Sequence, residues 1–235
     1  MVLLKRSIAW LLILVPVFTF FWFFLRYTVD VPVNDDYPAI LLFLNNFLST
    51  SSLHEKLKLI FSQHNEHRIV YCRLWSLLYY MLDKPINFNV LGFIGNLSIA
   101  GIGLIFFRRF LRLGKSLFLF IPVSVLLFNL TSSENMLYSM CALSNFPVYV
   151  FILLCLLFVT SSSPSGNTKI LLGALFFLLS VLTSGAGIML FPVTLGILIY
   201  KKQYRHLLIN GSIASLIMLL YFYGYVKPVN SGRAP

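Results

Sequence analysis

Residues 7–27 read SIAWLLILVPVFTFFWFFLRY, and this apolar run decides the class of the protein. A helical span through a bilayer core requires about 20 predominantly apolar residues. The rest of the chain is similar in character, since 59% of its 235 residues are hydrophobic, 11% are charged and the mean hydropathy is +0.87. A soluble domain carries about 25% charged residues. The sequence therefore predicts an all-α integral membrane protein, because long helices satisfy their backbone polar groups within lipid.

The ends of this first run distinguish a membrane span from a secretory signal peptide. Residues 1–6 are short and basic, but the run later passes through the aromatic segment Phe20-Phe21-Trp22-Phe23-Phe24. A signal peptide has a shorter apolar core that is followed by small residues at a cleavage site. We therefore expect residues 7–27 to form an uncleaved span.

Apolar runs recur along the chain, with short polar breaks between them. They predict a polytopic transmembrane helical bundle of about seven spans, in a single module over residues 1–235. The predicted spans are Ser7–Tyr27, Asn89–Phe107, Ser116–Leu130, Pro147–Thr160, Ile170–Leu182, Ile188–Tyr200 and His206–Val226. Four glycines in the second span permit close helix contacts. Residues 131–146 are predicted as an outer loop, and residues 161–169 as a cytoplasmic turn.

The segment between the first two spans, residues 28–84, is too polar to cross the membrane as a whole. Three of its stretches have apolar residues at helical spacing: Tyr37–Leu48, Leu53–Phe61 and Ile69–Leu82. This pattern is typical of helices that lie in the membrane interface. We therefore predict an extracytoplasmic loop that contains three interfacial helices.

The distribution of charge predicts the orientation of the bundle. The basic residues fall mainly into three clusters between apolar runs: Lys5 and Arg6; Arg108, Arg109, Arg112 and Lys115; and Lys201, Lys202 and Arg205. Under the positive-inside rule these clusters are cytoplasmic, which places the N-terminus on the cytoplasmic side of the plasma membrane. All seven acidic residues then lie on the other face. The net charge of +11 thus indicates topology and attraction to anionic lipid headgroups, rather than nucleic-acid binding.

Two polar clusters occur in the predicted extracytoplasmic loop, and the first is Asn34-Asp35-Asp36-Tyr37. A carboxylate at a partly dehydrated membrane surface has a raised pKa, and a neighbouring carboxylate raises it further. Asp35 and Asp36 are therefore candidates for a general base. The same residues also fit the N-cap of the helix predicted from Tyr37, with Pro38 in its first turn. The two roles are compatible.

The second cluster, residues 63–68, reads QHNEHR. A phosphate leaving group is bound by arginine or protonated histidine, so Arg68 with His64 or His67 is a candidate binding set. Glu66 could pair with Arg68 or join the two aspartates around a divalent cation. The alternative is a solvated turn with local salt bridges.

Arginine and cysteine elsewhere add two expectations. Arg73 either reaches a lipid phosphate or snorkels from an interfacial helix. The three cysteines, Cys72, Cys141 and Cys155, are scattered through the sequence. They predict neither a disulfide framework nor a structural zinc site, and we name no residue as a metal ligand.

An architecture of this kind resembles the GT-C superfamily. The shared features are an uncleaved first span, an acidic pair that opens a large outer loop, and a glycine-rich second span that ends in Arg108-Arg109. The GT-C enzymes are polyprenyl-phosphate-sugar-dependent glycosyltransferases, and they include protein O-mannosyltransferases and the aminoarabinose transferases of lipid A. Residues 182–187 (LTSGAG), followed by Phe191-Pro192 and Lys201-Lys202, are similar to a Leu-Thr-Lys-Gly, Pro, Arg-Arg progression common in that group. Ser184 stands where lysine is frequent.

The resemblance implies transfer of a sugar from a polyprenyl-phosphate donor to an envelope glycan, lipid or protein acceptor on the extracytoplasmic face. It implies that one aspartate of the acidic pair is the base. We favour Asp36, and Asp35 could hold a divalent cation or orient the acceptor. Glu134 matches a second acidic position that these enzymes often have, although it equally fits an anchor for its loop. Members usually continue with further spans, so we expect a fragment, a minimal module or one half of a split enzyme.

A non-enzymatic membrane protein of envelope polysaccharide assembly, such as a flippase, a transporter or a scaffold subunit, is the alternative function. Transporters place ionisable residues near the bilayer midplane. None of the predicted spans has an acid or base near its centre. The charges instead gather at one surface, which favours chemistry at that surface.

Overall fold

The computed structural model describes residues 2–83, 85–160 and 166–227, and these residues are organised as α-helices. The helices are α1 (Val2–Tyr27), α2 (Phe43–Ser49), α3 (Leu53–Phe61), α4 (Val70–Leu82), α5 (Phe88–Leu111), α6 (Ile121–Leu127), α7 (Ser133–Leu137), α8 (Ser139–Asn145), α9 (Pro147–Thr160), α10 (Gly166–Val181), α11 (Leu190–Tyr200) and α12 (Tyr204–Phe222). A π-helical segment, Tyr37–Leu42, leads into α2. Short 3₁₀ segments, Leu117–Phe120 and Gly185–Met189, lead into α6 and α11.

Four of the helical segments are long and apolar enough to cross a membrane: Leu3–Tyr27, Phe88–Leu111, Ser139–Thr160 and Tyr204–Phe222. They include the predicted first, second, fourth and seventh spans. The prediction of an all-helical membrane protein is thereby confirmed in its general form. The other three predicted spans correspond to shorter apolar helical segments, Leu117–Leu127, Thr168–Val181 and Gly185–Tyr200.

The predicted outer loop over residues 131–146 is wrong, because much of this segment is helical. α7 and α8 occupy it, and α8 leads directly into α9 at Pro147. Proline is tolerated in the first turn of a helix, where its missing N–H is not needed. A polar side chain of this segment is satisfied inside the bundle, since Ser139 Oγ donates to Phe88 O at 2.7 Å. The predicted turn over residues 161–169 lies partly outside the described residues, and α10 already begins at Gly166.

The three helices predicted in the extracytoplasmic loop are all present. They bury an apolar cluster against the start of α5 and against α8, with Ile40, Phe43, Ile69, Leu91 and Leu143 among its members. Side chains of this kind contribute about 1.5–3 kcal/mol each when they are fully buried. This packing holds the two predicted polar clusters in fixed positions.

Close approach of α5 and α8 depends on glycine. A Cβ atom on Gly95 would lie 2.3 Å from the carbonyl carbon of Ala142. Farther along α5, a Cβ atom on Gly101 would lie 3.7 Å from Val150, which is an ordinary contact. The order of these contacts shows that α8 and α9 run parallel to α5. The prediction that these glycines permit close contacts is confirmed at Gly95.

The bundle has two chemically different ends. At one end Thr28 Oγ1 donates to Asn89 Oδ1 at 2.9 Å, which joins the end of α1 to the start of α5. We call this the acidic end, and it contains residues 28–36, 62–69, 182–187 and 223–227. We call the opposite end the basic end, and it contains Lys5, Arg6, residues 108–118 and Lys201, whose Nζ donates to Thr160 O at the end of α9.

Candidate functional site

Asp36 links two backbone segments at the acidic end through hydrogen bonds. Its side chain is 1% exposed, its Oδ2 accepts a hydrogen bond from Val33 N–H at 3.0 Å, and its Oδ1 accepts one from Met140 N–H at 2.8 Å. Met140 lies in the first turn of α8, so Asp36 caps that helix from a distance in sequence. It makes no side-chain cap bond to the π-helical segment that follows it. Burial raises the pKa of Asp36, the two N–H donors lower it, and the charge of Asp35 raises it.

Asp35 occupies a different environment from its neighbour. It is half-buried, and its carboxylate makes no hydrogen bond and no ion pair with the described residues. Its charge nevertheless reaches His64, where it raises the pKa of the imidazole. The first polar cluster is therefore near enough to the second for the charge of Asp35 to act on His64. Of the two aspartates, Asp35 is the one whose carboxylate is open to an incoming molecule.

Residues 63–68 form a tight reversal, which we call the histidine turn. His64 N–H donates to His67 O at 2.7 Å, and His67 N–H donates to His64 O at 2.9 Å. Asn65 closes the reversal with a φ of 48°, in the left-handed region that asparagine tolerates. The buried atoms His64 Nε2 and His67 Nδ1 have no hydrogen-bond partner among the described residues. Buried polar atoms usually have a partner, so these two nitrogens are candidate contacts for a ligand.

The LTSGAG segment forms one wall of the histidine turn. Tyr71 N–H donates to Leu182 O at 3.2 Å, which fastens α4 to the end of α10. A Cβ atom on Gly185 would lie 2.4 Å from His67 Nδ1, so the ring of His67 occupies the space that any larger residue needs. Ser184 is 5% exposed and its side chain is enclosed in this wall. The sequence singled out this segment for its similarity to a Leu-Thr-Lys-Gly progression, but it did not show that Gly185 packs against His67.

Arg68 fastens the histidine turn to the end of α12. Its Nε donates to Tyr221 O at 2.8 Å, its Nη2 donates to Tyr223 O at 2.7 Å, and its Nη1 donates to Phe61 O. These bonds use three of the five N–H groups of a guanidinium. The guanidinium also lies 5.7 Å from the centre of the Tyr221 ring. Arg68 therefore has a clear structural role, and two N–H groups remain for a ligand.

Arg73 is a buried cation beside the histidine turn. It is 4% exposed, and its Nη1 donates to Ile60 O at 3.0 Å and to Ser62 O at 2.5 Å. Its Nε has no hydrogen-bond partner, and no carboxylate pairs with it among the described residues. Burial lowers the pKa of Arg73 to about 10, so the side chain stays charged at neutral pH. The expectation that Arg73 snorkels from an interfacial helix is wrong, because its charge lies inside the fold.

The electrostatic environment keeps His64 neutral. Burial lowers its pKa, and Arg73 and His67 lower it as well, whereas Asp35 and Glu66 raise it. A neutral imidazole has a free lone pair and one N–H, so it can accept and donate at the same time. His64 thus adds proton-transfer capacity to a site that also contains the open carboxylate of Asp35.

Glu66 and Glu134 lie at the margin of this site. Glu66 is exposed in the histidine turn, and Glu134 is exposed in the first turn of α7. Among the described residues, no three His, Cys, Asp or Glu side chains form a group that could hold a metal ion.

A mostly apolar cavity of about 300 Å³ adjoins the other side of Arg68. It lies between α10 and α12, and Arg68 is its charged lining residue. The apolar and aromatic residues of its lining include Phe61, Leu178, Val181, Leu220 and Tyr221. The acidic end thus combines an open carboxylate, buried nitrogen donors and an apolar cavity.

Comparison of this chain with protein-family models, curated proteins and solved structures finds no match.

Proposed function

We propose that this chain is a membrane glycosyltransferase of GT-C type. It transfers a sugar from a polyprenyl-phosphate donor to an envelope glycan, lipid or protein acceptor. The observation that supports this proposal best is the buried Arg73 beside the histidine turn, where the charge of Asp35 also acts on His64. The Asp35 carboxylate, the His64 Nε2 atom and the Arg73 Nε atom have no hydrogen-bond partner among the described residues.

Asp35 is the general base in this proposal, in place of Asp36. The acceptor hydroxyl gives its proton to the Asp35 carboxylate while its oxygen bonds to the anomeric carbon of the sugar. The bond from that carbon to the phosphate oxygen breaks, and the electron pair leaves with the polyprenyl phosphate. Asp36 is unsuited to this step because both of its oxygens already accept backbone hydrogen bonds.

Arg73 and the histidine turn stabilise the departing phosphate. The unpartnered Nε–H of Arg73 offers a charge-assisted hydrogen bond to a phosphate oxygen, and such bonds are about twice as strong as neutral ones. The buried nitrogens of His64 and His67 provide further contacts. A divalent cation is not required by this arrangement, although Asp35 and Glu66 offer oxygen ligands for one.

The prenyl chain of the donor occupies the cavity between α10 and α12. Its lining is mainly apolar and includes Arg68, which belongs to the histidine turn. A polyprenyl chain binds well to such a surface, because the transfer of its apolar units out of water is favourable.

In the bilayer, we propose seven spans, with the three shorter apolar helices crossing beside the four long ones. The basic clusters then lie in the cytoplasm and the acidic end faces outward from the plasma membrane. Residues 37–82 lie at the outer membrane interface, where a lipid-linked donor and a water-soluble acceptor can meet.

A direct test measures sugar transfer from radiolabelled polyprenyl-phosphate donors in membranes that contain the wild-type chain or a variant. We expect Asp35→Asn to reduce transfer by about 100-fold or more, which is the usual contribution of a general base. Glu55→Gln, at an exposed position on α3, is the matched control and should retain wild-type transfer. Wild-type transfer by folded Asp35→Asn would exclude Asp35 as the base.

The second candidate is a non-enzymatic subunit of envelope polysaccharide assembly. The observation that favours it is the structural use of Asp36 and Arg68, two residues that sequence reasoning assigned to chemistry. A folded and inserted wild-type chain without transfer from any polyprenyl-phosphate donor would favour this candidate over the enzyme.

A further inference from the structure

A second cavity lies at the basic end of the bundle, far from the proposed catalytic site. Its volume is about 690 Å³, which is within the range of small-molecule sites. Its lining combines three cations with aromatic and apolar side chains: Lys5, Arg6 and Trp10 from α1, Leu111 at the end of α5, and Lys115 and Phe118 from the region after it. None of the functions discussed above uses this cavity.

The reversal of the chain after α5 builds one side of the cavity. Leu113 N–H donates to Phe110 O at 2.9 Å, and Gly114 N–H donates to Leu111 O at 3.2 Å. Gly114 has a φ of 60°, a conformation that glycine adopts without strain. The turn ends α5 and places Lys115 beside the first turns of α1. The three cations therefore come from two segments that this turn brings together.

Aromatic contacts fix the floor next to these cations. The ring of Trp10 lies 5.2 Å from that of Phe107, and the ring of Phe107 lies 5.0 Å from that of Phe120. These contacts hold α1, α5 and the segment before α6 together. The cavity is thus formed by packed elements of the fold.

The charge in this cavity is uncompensated. Lys5, Arg6 and Lys115 are all exposed, and no acidic residue lines the cavity. The ion pair found among the described residues, Lys58 with Glu55, is on α3. An anionic partner would neutralise the repulsion among the three cations, whereas a neutral or cationic partner would not.

The position of the cavity along α1 indicates the source of this anion. Lys5 and Thr28 are separated along α1 by about 35 Å at 1.5 Å per residue. A hydrocarbon core is about 30 Å thick, so a spanning α1 places Lys5 at the level of the lipid headgroups. The exposed apolar residues Leu111 and Phe118 line the same cavity and offer contacts to an acyl chain.

We infer that the cavity at the basic end binds an anionic phospholipid. The cations of Lys5, Arg6 and Lys115 contact the headgroup phosphate, and Trp10 and Phe118 contact the upper part of an acyl chain. This inference does not depend on the proposed glycosyltransferase activity, because it uses residues at the opposite end of the bundle.

The test uses Trp10 as a fluorescent reporter of lipid contact. The chain has three tryptophans, so Trp22→Phe with Trp75→Phe leaves Trp10 alone in the otherwise full chain. This protein is placed in phosphatidylcholine vesicles that contain a small fraction of either brominated phosphatidylglycerol or brominated phosphatidylcholine. We expect the brominated phosphatidylglycerol to quench Trp10 several-fold more strongly at equal fraction. Equal quenching by the two lipids in this protein, in which the three cations are intact, would overturn the inference.

Charge variants then assign the preference to the cavity. Each cation near the membrane surface contributes about fivefold to the affinity for an anionic lipid. In a triple variant that combines Lys5→Gln, Arg6→Gln and Lys115→Gln, the two brominated lipids should therefore quench Trp10 equally. Lys202→Gln, an exposed cation of the basic end outside the cavity, should leave the preference intact. If the triple variant still shows stronger quenching by phosphatidylglycerol, the three cations do not form the site and the inference is overturned. If millimolar inorganic phosphate abolishes the difference in the wild-type cavity, the site binds phosphate in general, and a lipid-specific site is overturned.

Discussion

The acidic and basic ends of the bundle hold their charges in opposite ways. At the acidic end Asp36 and Arg73 are buried and bonded to backbone groups, and Arg68 is bonded to three carbonyl oxygens. At the basic end Lys5 and Lys115 are exposed at the edge of an open cavity. Fixed, partly desolvated charges suit a reaction because their geometry and pKa are set by the fold. Mobile surface cations suit the less directional attraction of a lipid headgroup.

The first prediction concerns the close packing of α5 near the acidic end. We expect Gly95→Ala to destabilise the protein by about 3 kcal/mol, because the new Cβ atom would clash with the backbone of Ala142 and force α5 and α8 apart. Gly101→Ala lies on the same helix nearer the basic end, where space is available. It should be neutral or stabilising by up to about 1 kcal/mol, since alanine favours the helix. Fluorescence-detected thermal unfolding in detergent measures both. Equal changes in stability for the two variants would contradict a difference in packing along α5.

The second prediction separates the two neighbouring aspartates. Asp36→Ala leaves the N–H groups of Val33 and Met140 without their acceptor, so it should cost about 2–4 kcal/mol. Asp35→Ala breaks no hydrogen bond among the described residues and should change stability by less than about 0.5 kcal/mol.

The same thermal-unfolding measurement checks this pair, and Asp36→Asn refines it. An asparagine has only one acceptor oxygen, so its amide group would face one of the two N–H donors, and we expect a loss close to that of Asp36→Ala. Full stability of Asp36→Ala would show that the tie to α8 is unimportant, and would return Asp36 to the candidates for the base.

The third prediction uses pH to examine the histidine turn. The pKa of His64 is lowered in the folded state, so below the unfolded value of about 6.5 the unfolded chain binds a proton that the folded chain does not. The contribution of His64 to stability is therefore present above that pH and lost as the pH falls through it. We expect the melting temperature to decrease between pH 7.5 and 5.5 more steeply in the wild type than in His64→Gln. Parallel pH profiles of the two proteins would contradict a buried, neutral His64.

The smallest predicted effect concerns an exposed ion pair. Lys58 Nζ lies 3.7 Å from Glu55 Oε2, and both side chains are at least half exposed. Lys58→Gln should change stability by less than about 0.5 kcal/mol, because water and salt screen such pairs. Thermal unfolding at low and high salt measures the change in stability. A loss above about 1 kcal/mol would mean that this exposed ion pair contributes nearly as much as the buried hydrogen bonds of Asp36.

Much of the helical structure could be predicted from the sequence. The helical spacing of apolar residues over 37–48, 53–61 and 69–82 is followed by helices at those positions. The first and third stripes cover an apolar cluster, whereas Leu53, Leu57 and Phe61 of the second stay exposed. The segment 131–146 was predicted wrongly as a loop, although its polar residues Ser139 and Asn145 lie at a helix. In the structure they bond to Phe88 O and Asn135 Oδ1 inside the bundle. A local pattern does not show partners that are distant along the chain.

The candidate site divides in the same way. The residue types of both polar clusters were visible in sequence, and so was their presence in one loop. The assignment of roles was not, because Asp35 and Asp36 are chemically identical and only their contacts distinguish them. Gly185 was noted in the sequence as part of the LTSGAG segment, but only the structure shows that the ring of His67 occupies the space of its missing side chain.

The sequence by itself indicated a helical membrane protein with basic clusters that contain no acids, because hydropathy and helical periodicity are local properties that follow from transfer free energies. Only the tertiary structure decided that Arg73 is buried beside the histidine turn, and that Asp36 and Arg68 bond to backbone groups distant in sequence. Hydrogen bonds and burial depend on partners that are far apart in sequence, and folding alone brings those partners together.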